Sequence, residues 1–130
     1  MRIVDDRIIW TASDLALASQ CEYALLRNLD YQLGRAPREE AAADPFMDHI
    51  AALGERNEAR ILEAFQASRQ VAEPEPAALP LTRLAMQQAA ERTAAALAEN
   101  PDVVYQAAFF DGEFFGYADF LERTPAGWMV

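Results

Sequence analysis

The chain has 130 residues, 52% of them hydrophobic and 25% charged, a balance typical of one globular domain and unlike that of a disordered chain. Its net charge of −10 argues against a general electrostatic grip on nucleic acid, which needs a basic surface, but leaves a local basic groove or an acidic metal site open. The single cysteine, Cys21, excludes an internal disulfide, and no apolar run or leader pattern predicts a membrane span or export, so we expect a cytoplasmic protein.

The first predicted elements are a short strand and a long helix. The apolar run 7–10 fits a short strand or an extended arm. Thr11 and Asp14 have the spacing of a capping box, which marks the start of a helix. Apolar residues then recur at helical spacing, which predicts one helix from Thr11 to about Tyr31, followed by a charged loop over 35–43.

Two further helices are predicted in the first hundred residues. Asp44 followed by Pro45 is a typical helix start, with an acidic N-cap and a proline in the first turn, and this helix should reach about Ser68. Prolines then interrupt the chain over 73–80. An alanine-rich amphipathic helix is predicted over 82–99.

Strands are predicted for the last part of the chain. The run 103–110 is rich in β-formers, and Asp111–Gly112 favours a two-residue type I′ hairpin turn. The return strand is predicted over 113–122 and a second turn over 124–127, after which Trp128 begins a third strand.

This order of elements predicts one partial domain of the α/β type, α+β by content. Its helical part covers 1–100 and includes the helix 44–68, and a β-meander starts over 101–130. A sheet that stops in its third strand leaves an unpaired apolar edge, which is a liability. We therefore expect the chain to be the N-terminal portion of a longer protein.

Glu58 is the first candidate site residue. The residues one and two turns after it are apolar, so it lies on or beside the buried face of its helix. Gly54 lies one turn before it, and a glycine inside a helix costs about 1 kcal/mol relative to alanine, which suggests close approach by another backbone or a ligand. The alternative is a carboxylate at the rim of the core, paired with Arg60 or Arg92.

Asp119 is the second candidate, because it is an acid inside an aromatic strand. Alternation assigns it to the face of Tyr117 and Leu121, where a carboxylate is costly unless it is paired or binds a metal. Gln106 lies in the facing strand and can approach Asp119 across the hairpin. The alternatives are an acid at the rim of the sheet and an ordinary polar glutamine on a half-exposed strand.

Two other reactive residue types occur once each. Cys21 fits a small buried apolar residue, and His49 fits a residue of the helix surface or the core. One cysteine and one histidine assemble neither a zinc site nor a Cys–His nucleophile pair. The sequence also lacks a glycine-rich phosphate loop.

Taken in chain order, these features resemble the RecB-like branch of the PD-(D/E)XK nuclease superfamily. This branch contains the nuclease domains of bacterial recombination helicase–nucleases, CRISPR-associated RecB-type exonucleases and RecB-like proteins joined to helicases. The matching segments are an opening helix with its cysteine (11–26), a Gly-x-x-x-Glu motif (54–58), a strand with glutamine (105–106) and a Gly-x-x-Asp motif (116–119). Glu22 departs from the family, which usually has proline after that cysteine.

The resemblance implies a restriction-endonuclease-like core in which Glu58 and Asp119 ligate Mg²⁺ or Mn²⁺ and Gln106 positions the ligands or the substrate. It also implies that the substrate is DNA, single-stranded or at ends, that a helicase domain in the same or a partner chain accompanies the nuclease, and that no membrane is involved. Hard divalent cations prefer oxygen ligands, which agrees with a pair of carboxylates.

The resemblance further indicates what the chain lacks. The family's third motif, acid-x-Lys, would follow directly after Val130, and the chain contains no lysine, so we expect the chain by itself to be inactive. Some relatives hold a 4Fe–4S cluster through one cysteine near this N-terminal position and three C-terminal cysteines. Cys21 matches the first position, and the chain has no other cysteine.

Two non-catalytic interpretations stay open. In the first, the chain is an interaction module whose hairpin edge recruits a partner by strand addition, helped by the aromatic residues Phe109, Phe110, Phe114 and Phe115. In the second, it is a degenerate nuclease fold retained for structure. Dependence of metal binding on both Glu58 and Asp119 separates the nuclease from these alternatives.

Overall fold

A computed structural model describes residues 1–37 and 44–130, so most of the loop predicted over 35–43 lies outside the described residues. The fold class is α+β. In chain order, the elements are β1 (Arg2–Val4), β2 (Arg7–Ile9), α1 (Ala12–Gln20), α2 (Glu22–Gln32), α3 (Pro45–Gln66), β3 (Val71–Ala72), α4 (Arg83–Ala98), β4 (Val103–Phe110), β5 (Phe115–Thr124) and β6 (Gly127–Met129). Within this described part of the chain, no helix has both the length and the apolar character needed to span a bilayer.

A four-stranded mixed sheet organises the second half of the chain. Its strand order is β3-β4-β5-β6, with β3 parallel to β4 and the other pairs antiparallel. Helix α4 packs on β4, and two clusters of buried residues form the core on this side of the sheet. The clusters are Ile9, Met86, Ala89, Ala108 and Phe115, and Val104, Ala107 and Leu121 with Leu97 packed against them.

The chain begins with a hairpin of which only the second strand was predicted. Asp5 and Asp6 connect β1 to β2 with φ values of 51° and 58°, the left-handed backbone that a type I′ turn requires. Trp10 joins this hairpin to the main sheet, because its N–H donates to the Glu113 carbonyl (2.7 Å) and its carbonyl accepts from Phe115 N–H (2.9 Å). These contacts bring Ile9 into the core.

The prediction of one helix from Thr11 to Tyr31 is wrong, because the chain bends at Cys21. The backbone of Cys21 is extended (φ −159°, ψ 100°), so it ends α1 and caps the start of α2. Cys21 is also exposed, which corrects its interpretation as a buried apolar residue. The predicted start is confirmed: the Asp14 carboxylate accepts from the backbone N–H (2.8 Å) and the hydroxyl (2.6 Å) of Thr11.

Helix α3 begins where the sequence predicts and ends two residues early. Asp44 Oδ1 accepts from Phe46 N–H (3.0 Å), and Pro45 occupies the first turn. A Cβ added at Gly54 would meet nothing within 4 Å, so the expected close approach of another backbone is wrong, while that of a ligand stays a prediction. The first half of the helix is exposed, including Ile50 and Leu53, and only its second half approaches the sheet.

The β4–β5 connection differs from the predicted two-residue turn. It spans residues 111–114, and only Gly112 has a left-handed φ, of 102°, whereas a type I′ turn requires two such residues. Asp111 Oδ1 instead accepts from the N–H groups of Glu113 (2.9 Å) and Phe114 (2.8 Å), which holds the pKa of Asp111 below its usual value. The Asp111 side chain therefore holds this four-residue connection through two hydrogen bonds to its backbone.

Candidate functional site

Four side chains from three elements meet on the sheet. They are Glu58 of α3, Tyr105 and Gln106 of β4, and Asp119 of β5. The Tyr105 hydroxyl donates to Glu58 Oε1 (2.8 Å), and Gln106 Nε2 donates to the same oxygen (2.6 Å). Gln106 Nε2 also donates to Asp119 Oδ1 (3.2 Å). A single amide nitrogen therefore links the two carboxylates that the sequence singles out.

The β4–β5 register explains the contact between Gln106 and Asp119. Tyr105 pairs with Phe120 and Ala107 with Ala118, so Gln106 stands opposite Asp119. These two residues do not form a regular pair themselves, because the backbone of Gln106 is left-handed, with φ 52°. Residues other than glycine rarely adopt this conformation, which costs on the order of 1–3 kcal/mol and is found preferentially at functional sites.

The same backbone conformation brings Gln106 to Glu58. In a regular strand, successive side chains point to opposite faces, so Tyr105 and Gln106 would not reach one atom. The left-handed residue interrupts this alternation, and both side chains contact Glu58 Oε1.

Aromatic packing holds α3 over the hairpin. The rings of Phe65 and Phe120 have centroids 5.5 Å apart in an edge-to-face arrangement, and Tyr105 lies 5.3 Å from Phe120. Arg69, just beyond the helix, lies over Phe65 at 5.2 Å and pairs with Glu122 of β5 (2.5 Å). These contacts fix the second half of α3, and with it Glu58, two turns before Phe65.

The site is an acidic pair partly open to solvent. Glu58 is half-buried and Asp119 is exposed. The predicted burial of Asp119 against the core is therefore wrong: alternation gives the face of a residue, but the core on that face does not extend over Asp119. The hydrogen bond to the Glu58 carboxylate, with burial and the negative charge of Glu58, raises the pKa of Tyr105.

Neither arginine proposed as a partner for Glu58 contacts it. Arg60 Nη2 donates to Asn57 Oδ1 (2.9 Å), and Arg92 donates to the carbonyls of Glu75 (2.9 Å) and Pro76 (3.0 Å). The interpretation of Glu58 as a rim carboxylate paired with arginine is therefore wrong. Its partners are two uncharged donors, Tyr105 and Gln106.

The donor set fits a hard divalent cation that keeps part of its water shell. Mg²⁺ is commonly bound by one or two carboxylates together with water and substrate phosphate. Among residues 1–37 and 44–130, no group of three or more His, Cys, Asp or Glu side chains is arranged to hold a metal ion. Glu58 and Asp119 are the two carboxylates that Gln106 joins. The amide of Gln106 adds an oxygen if the group rotates by half a turn.

The other candidates lie elsewhere. Cys21 is exposed between α1 and α2, and His49 is exposed on the first half of α3. Tyr105 is the residue that sequence reasoning missed as a member of the site. The available signal was its position next to Gln106 in the strand that resembles the nuclease family.

Most of the aromatic residues proposed for strand addition pack against other residues of the fold. Phe115 is only 6% exposed and belongs to the core, and Phe110 packs edge-on against it with centroids 6.2 Å apart. Arg83 covers the Phe110 ring at 5.4 Å. Phe109 is the most open of the four, with 44% of its surface exposed.

The chain has no significant match to a protein-family model, to a curated protein or to a solved structure.

Proposed function

We propose that this chain carries the acidic half of a metal-dependent DNA nuclease of the RecB-like PD-(D/E)XK type, with Glu58 and Asp119 as ligands of Mg²⁺ or Mn²⁺. One observation supports this most directly: the amide nitrogen of Gln106 lies within hydrogen-bond distance of a carboxylate oxygen of both residues. Two carboxylates brought this close repel each other, and a cation between them removes the repulsion. The order of a helix acid and a hairpin acid agrees with the family resemblance.

Each residue then has a distinct part. Glu58 and Asp119 hold the cation, while Gln106 keeps the two carboxylates together and gives way when the cation occupies the space between them. When bound, the cation polarises the scissile phosphate of DNA and lowers the pKa of a water molecule. The chain contains no lysine, so the charge stabilisation that the family obtains from lysine is not supplied by this chain. We therefore expect cation binding without hydrolysis.

The register of β5 and β6 predicts where the acid-x-Lys motif of the family would stand if the strand continues. Thr124 pairs with Gly127 and Glu122 with Met129. If β6 continues in this register in a longer chain, the second residue after Val130 stands opposite Asp119. We expect an acid at that position and a lysine two residues later, which would add a third carboxylate to the site. Reading the coding sequence after Val130 checks this; a continuation without that acid and lysine would remove the catalytic part of the proposal.

Manganese binding tests the proposal on the chain as it is. Electron paramagnetic resonance of free Mn²⁺ gives the Kd for the wild type, Glu58→Gln and Asp119→Asn. We expect saturable binding by the wild type and at least tenfold weaker binding by each variant.

Glu91→Gln is the matched control for that titration. Glu91 also lies on a helix and accepts from a glutamine, Gln87 Nε2 (2.9 Å), but on α4. We expect it to bind Mn²⁺ like the wild type. A wild type without saturable binding, or site variants that bind like Glu91→Gln, would contradict the proposal.

A further inference from the structure

We propose that Tyr105 is a positioning residue for Glu58: its hydroxyl holds Oε1 and so fixes the orientation of the carboxylate that would bind the cation. This inference rests on the proposed function. It assigns a role to a residue that the family resemblance does not include among the ligands.

The distribution of donors on Glu58 is the first argument. The Tyr105 hydroxyl and Gln106 Nε2 both donate to Oε1, at 2.8 Å and 2.6 Å. A carboxylate oxygen has two lone pairs, so these donors use both on Oε1. In the described part of the chain, no hydrogen bond or ion pair involves Oε2. Once Gln106 gives way, Tyr105 is the donor that still holds the carboxylate, while one lone pair of Oε1 and both lone pairs of Oε2 are available to a cation.

The rigidity of Tyr105 is the second argument. Its ring packs against Phe120 (5.3 Å), which packs against Phe65 of α3 (5.5 Å), the helix that carries Glu58. The hydroxyl and the carboxylate are thus joined through packed rings as well as through their hydrogen bond. The packed rings therefore hold the hydroxyl in addition to its hydrogen bond to Glu58.

Tyr105 and Gln106 differ in what a cation does to them. Gln106 Nε2 is shared between Glu58 and Asp119, so its N–H groups oppose a positive ion placed between these carboxylates. The Tyr105 hydroxyl donates to Glu58 and not to Asp119, and its hydrogen bond is compatible with a cation on the Glu58 carboxylate. Hydrogen bonds of this kind, from a neighbouring residue to a metal ligand, typically change metal affinity by about 10–100-fold.

The test removes the hydroxyl and keeps the ring. Tyr105→Phe in the full chain is titrated with Mn²⁺, and we expect the Kd to rise by at least tenfold. Tyr117→Phe is the matched control, since Tyr117 lies on β5 and its hydroxyl accepts from Ala77 N–H (3.0 Å) outside the site. We expect it to keep the wild-type Kd. A urea unfolding curve reports the fold of each variant, and sucrose, which favours the folded state, is added equally to all samples if Tyr105→Phe is weakened.

A double-mutant cycle separates positioning from a general structural effect. If Tyr105 acts through Glu58, Tyr105→Phe changes the residual Mn²⁺ affinity of Glu58→Gln by less than twofold, whereas structural damage weakens binding equally in both backgrounds. A folded Tyr105→Phe with the wild-type Kd, or equal losses in both backgrounds, overturns this inference and leaves the proposed function standing. A wild type that does not bind Mn²⁺ overturns both.

Discussion

Tyr105 and Gln106 are consecutive residues of β4, and both donate a hydrogen bond to the same oxygen, Glu58 Oε1. A regular strand does not permit this, because its successive side chains point to opposite faces. The left-handed backbone of Gln106 makes it possible, and the same residue reaches Asp119 in the next strand. An unfavourable backbone conformation is thus located where two carboxylates are brought together.

The backbone cost at Gln106 is measurable by comparing two truncations. Gln106→Ala and Gln106→Gly both remove the side chain, but only glycine adopts φ 52° without steric penalty. We expect Gln106→Gly to be more stable than Gln106→Ala by about 1 kcal/mol in urea unfolding.

At an ordinary strand position the alanine variant is the more stable of the two, since glycine there costs roughly 0.5–1 kcal/mol relative to alanine. Ala118→Gly, at a paired position of β5, is the control and should be destabilising. An alanine variant of Gln106 more stable than its glycine variant would show that the residue is not strained.

Helix α3 is expected to depend on Phe120 for its position over the hairpin. Phe120→Leu removes the ring that contacts both Phe65 and Tyr105 but keeps an apolar side chain. We expect a loss of about 1 kcal/mol in the free energy of unfolding and several-fold weaker Mn²⁺ binding, because Glu58 is held less firmly. Phe109→Leu, on the exposed end of the same hairpin, should leave the affinity unchanged. Equal Mn²⁺ affinities for both variants would show that cation binding does not depend on the packing of Phe120.

Asp14 ties the chain start to α1 and makes stability depend on pH. It is 3% exposed and contacts the ammonium group of Met1 as well as Thr11. Burial alone would raise the pKa of Asp14, but hydrogen bonds from the Met1 ammonium and Thr11, with the charge of that ammonium, hold it below its ordinary value. Because the folded-state pKa is depressed, this contribution is present above the unfolded-state pKa of about 3.9 and is lost as the pH falls through the folded-state pKa.

Asp14→Asn tests this contribution. We expect a loss of about 3 kcal/mol at pH 7, since one charge of a buried pair is removed. The difference between wild type and variant in urea unfolding should shrink below pH 4. A difference that stays constant from pH 7 to pH 3 would contradict the assigned titration.

The sequence predicts those parts of the fold that local chemistry specifies. Asp44 and Pro45 start α3 because a capping acid and a proline suit a first turn, and the run of β-formers gives the bounds of β4 correctly. The hairpin then brings Gln106 near Asp119, as expected.

The remaining features depend on contacts distant in sequence. Cys21 bends the chain without a glycine or proline to announce it, and β3 consists of two residues that are strand only because they pair with β4. The left-handed conformation of Gln106 has no signal in its residue type, since glycine, asparagine and aspartate are the usual carriers. Tyr105 therefore could not be assigned to the site from alternation, which separates it from Gln106.

The central claim is that Glu58 and Asp119 share one cation, and a manganese double-mutant cycle tests it most directly. Wild type, Glu58→Gln, Asp119→Asn and the double variant are titrated under one set of conditions. We predict one Mn²⁺ per wild-type chain. We also predict that the rise in Kd of the double variant is far smaller than the product of the rises in the two single variants, because either change already disables the shared site. Single losses that multiply in the double variant would mean that the two carboxylates act independently, and the absence of a saturable site in the wild type would contradict the account outright.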